Sequence, residues 1–168
     1  TTKKEELIEN NNIDAVVICS PTSTHYNLIL ECLNNNKHVF VEKPLSLELE
    51  EIKICYDLAK EKNLQLLVGY NRRFDEKINN LKLKVQNNEI GKINYILTIS
   101  RDYPYPTADY LKISGGMFHD CAVHDIDYVN WILEELPISV YVTATITKKK
   151  IINNGNLDHI NIVFQYPS

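Results

Sequence analysis

Glycine is rare in this chain, with five in 168 residues and none ahead of Gly69. That absence excludes a Gly-x-Gly-x-x-Gly phosphate turn from the whole segment before Gly69. Long hydrophobic runs are missing too. A membrane-spanning helix needs about 20 consecutive apolar residues; nothing in the sequence approaches that, so no membrane partner is expected. Positive charge is in deficit: 18 Lys and Arg face 22 Asp and Glu, for a net charge of −4. This balance speaks against a nucleic-acid or anionic-lipid surface. The four cysteines, Cys19, Cys32, Cys55 and Cys121, show no Cys-x-x-Cys spacing, so neither a zinc ribbon nor a dithiol motif is present. They sit in apolar segments and are expected to be small buried hydrophobes in a reducing, cytoplasmic setting. Against these absences, a hydrophobic content of 44% is enough to build a real core.

What is present has a clear rhythm in its first half. Ala15 to Cys19 is an unbroken apolar run that suits a strand buried on both faces. It ends in the polar loop Ser20 to His25, followed by a helix over about Tyr26 to Asn34. His38 to Glu42 is the next strand and leads at once into Lys43-Pro44. Ser46 is placed to cap a helix from about Leu47 to Lys62, with Glu50 near the capping-box position. Gln65 to Tyr70 is a third strand, followed by Asn71-Arg72-Arg73-Phe74-Asp75. Strands alternating with helices imply right-handed βαβ units and a parallel sheet. All three strand ends carry polar groups, at the edge where open α/β sheets bind ligands.

After Asp75 the pattern changes. A polar helix over about Glu76 to Asn88 ends toward Gly91, and Ile93 to Ser100 alternates like a half-exposed strand. An aromatic, proline-rich loop, Arg101 to Pro106, precedes the densest cluster of ionisable groups in the sequence, Gly115 to Asp127. There Asp120 and His124 fall four apart and His124 and Asp127 three apart, so on an α-helix they share a face. A carboxylate beside an imidazole at a helix opening can serve as an acid/base pair, because the carboxylate fixes the tautomer of the ring. Two other readings of the same residues stand beside it. A His-x-x-Asp on a helix is often a surface pair. His119, Asp120, His124 and Asp127 could also ligate a metal, although His119 and His124 diverge around a helix, and no metal site is expected. Ser139 to Thr147 alternates again, Asn153 to Asn156 is a turn signal, and His159 to Tyr166 is a last strand.

Taken together, Ser20-Pro21-Thr22-x-x-His25, Glu42-Lys43-Pro44, Gly69 to Asp75 and Ser114 to Asp127 resemble the Gfo/Idh/MocA oxidoreductase family. Within that family the segment Ser100-Arg101-Asp102 with Ser114 to Asp127 is most similar to the inositol 2-dehydrogenases. The resemblance implies an α/β fold: a partial Rossmann-like parallel sheet followed by the start of an antiparallel α+β domain. Residues 1–75 would be the C-terminal part of a dinucleotide-binding domain, and 76–168 the first part of a substrate and oligomerisation domain. It further implies hydride transfer from a cyclic polyol or sugar hydroxyl to NAD or NADP. His124 would be the general base, Lys43 would hydrogen-bond the reacting oxygen, and Asp120 would orient that pair. Ser20, Pro21, Thr22, His25, Glu42, Lys43 and Arg72 match positions that line the dinucleotide. Asn71, Ser100, Asp102, Asp120 and His124 match the polyol-facing side. A cis peptide before Pro44 also belongs to the family pattern.

Family members begin with a strand, a glycine-rich turn and an acidic residue after the second strand, which cradle pyrophosphate and ribose. These features are not in this sequence, so the expectation is a relative lacking about two βα units at its N-terminus. A small-molecule polyol is the expected partner, together with further copies of the chain in a homo-oligomer, because an uncovered sheet edge calls for a neighbour. The competing expectation is a truncated, non-catalytic paralogue serving as a binding or scaffold protein.

Overall fold

The computed structural model describes residues 1–147 and 157–167; the turn expected at Asn153 to Asn156 lies outside them. The chain forms two compact units, Thr1–Gly69 and Tyr70–Ser168. In the first, a short helix α1 (Glu5–Ile8) precedes β1 (Ala15–Ile18), α2 (His25–Asn34), β2 (His38–Val41), α3 (Leu49–Glu61) and β3 (Leu66–Val68). The strands are parallel and lie in the order β1-β2-β3.

The register explains the core. Ile18, Val41 and Val68 align across the sheet and are all buried. Val17, Phe40 and Leu67 align on the opposite face, where Val17 is 66% and Leu67 51% exposed. The expectation of a strand buried on both faces is therefore met on one face only. The cause is topological: strands in sequential order joined by right-handed crossovers place both connecting helices on the same side. Helix α2 packs on β1, β2 and α3, and Ile29, Cys32, Leu33, Val41 and Cys55 are the fully buried side chains of that layer. Cys32 and Cys55 are thus the buried hydrophobes expected; Cys19, past the end of β1, is exposed and Cys121 is partly so.

Asparagine does the work that glycine usually does at helix ends. Asn36, Asn63 and Asn88 have φ of 58°, 55° and 56°, two residues beyond α2, α3 and α4 (Glu76–Gln86). In each case the next amide closes back five residues: Lys37 N to Cys32 O at 3.0 Å, Leu64 N to Ala59 O at 2.8 Å, Glu89 N to Lys84 O at 2.9 Å. These are three Schellman caps with Asn in the left-handed position, since its short polar side chain tolerates that region best after glycine.

Ser46 behaves differently from the expected cap. Helix α3 begins at Leu49 with no side-chain cap on Glu48. The Ser46 hydroxyl accepts from Glu48 N at 3.1 Å and donates to Glu51. A serine two residues ahead of the N-cap satisfies the local turn instead of the helix itself, and its carboxylate partner is Glu51, not Glu50.

In the second unit, Asp75 caps α4 by accepting from Lys77 N and Ile78 N. Then come α5 (Ala108–Ile113), a π-turn (Phe118–Ala122), α6 (Val123–Leu133) and the antiparallel pair β4 (Ser139–Thr145) and β5 (His159–Gln165). Lys82 fastens α4 to α6: its Nζ donates to Trp131 O at 2.6 Å, lies 4.4 Å from the Trp131 ring centroid and pairs with Glu134 at 2.8 Å. Tyr166, past the end of β5, donates to Asn130 on α6 at 2.6 Å. Just beyond the Thr145–His159 end of the β4–β5 pair, buried Asp158 accepts from the amide and hydroxyl of Thr147. Residues 93–100, expected as a strand, join no ladder among the described residues. Their alternation is real, with Tyr95, Leu97 and Ile99 exposed, but alternation alone supplies no neighbour to pair with.

Candidate active site

The carboxyl edge of the parallel sheet carries the first set of site residues. The loop after β1 is held by its own hydroxyls: Ser20 Oγ and Thr24 Oγ1 lie 2.5 Å apart, and Thr24 Oγ1 donates to Pro21 O at 2.7 Å. This leaves Pro21 exposed and Ser20 and Thr22 half-buried at the strand end. After β2, Glu42 and Lys43 are half-buried, the Lys43 amide donates to Glu42 Oε2 at 3.2 Å, and the Lys43–Pro44 peptide is cis. Gly69, after β3, allows a close approach. A Cβ there would sit 3.0 Å from Phe40 Cζ and 3.4 Å from Glu42 Oε1, so any larger residue would push on Phe40 of β2 and crowd Glu42 just past it.

His25 lies beneath this edge. Its ring is buried, with Nδ1 2.8 Å from Pro44 O and Nε2 2.9 Å from Ser20 O. Both nitrogens are engaged by backbone carbonyls.

The second set sits around the entry to α6. Gly115 and Gly116 adopt φ of 76° and 74°, a conformation that brings the chain from α5 into the π-turn. A π-turn closes i→i+5, so Asp120 sits in a wider turn than the α-helix that its spacing to His124 suggested. Asp120 accepts from Tyr110 of α5 at 2.9 Å. Burial, and then the bond to Asp120, push the Tyr110 phenol up to about 12, so it remains a donor throughout the neutral range. Asp102 accepts from Cys121 Sγ at 3.2 Å. His119 donates from Nδ1 to Gly115 O at 2.9 Å. His124 begins the first turn of α6 with a buried Nδ1.

Two arginines beside Asn71 occupy the carboxylates that follow His124. Arg72 donates to Asp125 at 2.9 Å, and Ser100 donates to the other oxygen of Asp125 at 2.6 Å. Arg73 grips Asp127 in bidentate fashion at 2.8 and 2.5 Å. The guanidiniums also lie over Tyr128 and Tyr70, respectively. Arg72 and Ser100, expected on cofactor and substrate, both bond Asp125 here, and Asp127 is paired with Arg73. Tyr110, Asp125 and the Arg73–Asp127 pair were missed in the sequence. Only the proximity of the two arginines to a strand end hinted at them. Among the described residues no three His, Cys, Asp or Glu side chains converge as a metal site.

An open parallel sheet with polar groups at its carboxyl edge, followed by a separate α+β unit, is the two-part build of the Rossmann-type oxidoreductases. The chain belongs to the Gfo/Idh/MocA family: the model described as "Oxidoreductase family, NAD-binding Rossmann fold" matches residues 1–70, and that of the GFO/IDH/MocA C-terminal domain matches 78–168. The myo-inositol 2-dehydrogenase of Thermotoga maritima is 38% identical over 97% of this chain and 49% of its own length. The inositol 2-dehydrogenase of Rhizobium meliloti is 37% identical over 94% of this chain and 48% of its own. A scyllo-inositol dehydrogenase from Lactobacillus casei, solved with NAD(H) and scyllo-inositol, superposes with a TM-score of 0.86 at 30% identity, covering 98% of this chain and 51% of that one. The chain spans about half the length of the curated relatives it matches.

Proposed function

We propose that this chain carries the catalytic residues of an NAD(P)-dependent dehydrogenase that oxidises a secondary hydroxyl of a cyclic polyol such as inositol. The observation that carries this reading is the presence, in one chain of this family, of both a Glu42-Lys43-Pro44 strand exit and an Asp120-x-x-x-His124 helix entry. In this reading His124 removes the hydroxyl proton, and Lys43 hydrogen-bonds the oxygen as the carbon–oxygen double bond forms. Asp120, held by Tyr110, orients the pair. A bound nicotinamide would supply the hydride acceptor: the alcohol carbon would give up a hydride and its hydroxyl a proton to His124, leaving a ketone. Ser20, Pro21, Thr22 and Glu42 offer hydroxyl, carbonyl and carboxylate groups that suit the nicotinamide-ribose end. The segment ahead of Gly69 contributes no glycine turn for the pyrophosphate. Asn71 and Asp102 complete the polyol-facing set.

A cytoplasmic homo-oligomer is the expected form. The helix-free face of the parallel sheet and the exposed Val140, Tyr141 and Val163 of the antiparallel pair are surfaces that a neighbour would cover. No helix among the described residues is long and apolar enough to cross a membrane.

The test is fluorescence titration with NADH of this chain beside a chimera in which the segments of the Thermotoga maritima relative that this chain does not cover are joined to it in their native order. Binding by the chimera, with inositol-dependent reduction of NAD that His124→Ala abolishes without loss of helicity, is the expected result. An inactive chimera that still folds, or full turnover by His124→Ala, would overturn the assignment.

A further inference from the structure

His25 holds two loops at once, and its chemistry sets a condition on how it can do so. The ring is 1% exposed and is the first residue of α2. Nδ1 lies 2.8 Å from the carbonyl oxygen of Pro44, and Nε2 2.9 Å from that of Ser20. Backbone carbonyls only accept. A neutral imidazole has one N–H and one lone pair, so in that form it could satisfy one carbonyl while aiming a lone pair at the other. Two carbonyls facing two nitrogens at these distances require two N–H donors.

We propose that His25 is a positioning residue, a buried ring with a proton on each nitrogen that bolts the loop after β1 to the Lys43–Pro44 turn after β2. The start of a helix is a poor place for a cation, because its dipole presents positive charge there. The two carbonyl dipoles aimed at the ring act in the opposite sense, and hydrogen bonds from a charged donor are stronger than neutral ones. The loop hydroxyls are spent on each other, with Ser20 Oγ against Thr24 Oγ1 and Thr24 Oγ1 on Pro21 O. The link between the two loops therefore falls to the ring. Pro44 is the residue after Lys43, so fixing its carbonyl fixes the backbone from which the lysine side chain springs. Through this bolt Ser20, Thr22 and Lys43 are presented from one rigid rim of the sheet. The clasp itself is independent of the dehydrogenase reading; its consequence for the Lys43 chemistry rests on that reading.

Heteronuclear NMR on this chain with isotope-labelled histidine decides the clasp. The expected signature is two exchange-protected ring N–H groups on His25, coupled through their hydrogen bonds to the carbonyl carbons of Ser20 and Pro44. A single ring proton, or coupling to one carbonyl only, overturns it. His25→Asn keeps a buried polar group but cannot span both carbonyls, and its amide shift changes should concentrate in residues 20–24 and 43–45. Changes spread evenly over the first unit, or absent at Lys43, count against the bolt. In the chimera described above, His25→Asn is expected to lower kcat by about 10- to 100-fold with little change in the polyol KM, the mark of misplaced reacting groups. An equal loss in KM, with kcat intact, would refute the positioning role. A wild-type chimera without turnover would instead refute the dehydrogenase reading and leave the NMR result to decide the clasp.

Discussion

The two units of this chain use their hydrophobic residues in opposite ways. In the first, three strands and two helices enclose a layer in which Ile29, Leu33, Val41, Cys32 and Cys55 are wholly out of water. In the second, Ala122 and Ile132 are the buried apolar residues among those described, while every residue of β4 is exposed. What holds the second unit is largely polar: Lys82 on Trp131 and Glu134, Arg73 on Asp127, Arg72 and Ser100 on Asp125, Asp158 on Thr147. A layer of packed aliphatic groups draws its stability from burial and responds to lost volume. A polar lattice depends on geometry, and removing one partner leaves the other unsatisfied.

The largest expected effect breaks that contrast directly. Ile29→Ala removes fully buried methyl and methylene groups from the first unit and is expected to cost about 2–5 kcal/mol, including the cavity it leaves. Val142→Ala in β4, at a position 40% exposed, is expected to cost under about 0.5 kcal/mol. Chemical denaturation of the two variants, read by circular dichroism, checks the pair. Equal losses would mean that the exposed face of β4 is covered in solution and that the two units are not so different.

A second experiment sharpens the comparison through thiols. Burial first, and then the nearby carboxylates Glu31 and Glu51, push Cys32 and Cys55 up to about 11 from 9.0. A thiol raised in the folded state favours the protonated form. Its contribution to stability is fully present below the unfolded value and is lost as pH climbs from about 9 to about 11. At mildly alkaline pH an alkylating reagent is expected to modify exposed Cys19 at once and Cys32 and Cys55 only as fast as the first unit opens. Mass spectrometry of the labelled chain gives the rates. Labelling of Cys32 at the rate of Cys19 would show that the aliphatic layer is not closed.

How much of this was legible in the sequence follows the same division. The alternation of strand and helix before Gly69, the loop at Ser20, the Lys43-Pro44 exit and the acid and imidazole near Gly115 are local patterns, and local patterns can be read one stretch at a time. The single covered face of the sheet was hidden, because it depends on strand order and not on any one strand. Residues 93–100 alternate as a strand would, yet pairing requires a partner that periodicity does not specify. The π-turn at Phe118–Ala122 changed which residues share a face, and nothing in its composition announces the extra residue per turn. Arg72 and Asp125 lie 53 positions apart, so their ion pair, and with it the occupation of Ser100, arises only in the folded chain. His25 was expected as a site residue on resemblance; its two backbone partners, Pro44 and Ser20, come together with it only in the folded chain.

The smallest expected effect concerns the glycine scarcity itself. Asn63 sits at φ 55° in the Schellman cap after α3, with its own amide on Lys60 O at 3.1 Å and the Leu64 amide on Ala59 O at 2.8 Å. A left-handed backbone costs an L-residue more than it costs glycine, so Asn63→Gly is expected to stabilise the first unit by about 0.5–1 kcal/mol. Asn63→Ala, which keeps the Cβ and loses the polar side chain, is expected to destabilise it by a similar amount. Asn88→Gly after α4 is the matching change in the second unit, at φ 56°. Thermal denaturation compares them. If both glycine variants gain, backbone strain at helix ends is a cost shared by the two units, and their contrast lies in side-chain packing alone. If Asn63→Gly gains nothing, the greater unfolded-state freedom of glycine cancels the relief, and asparagine is already as good a terminator as this gly-poor chain can use.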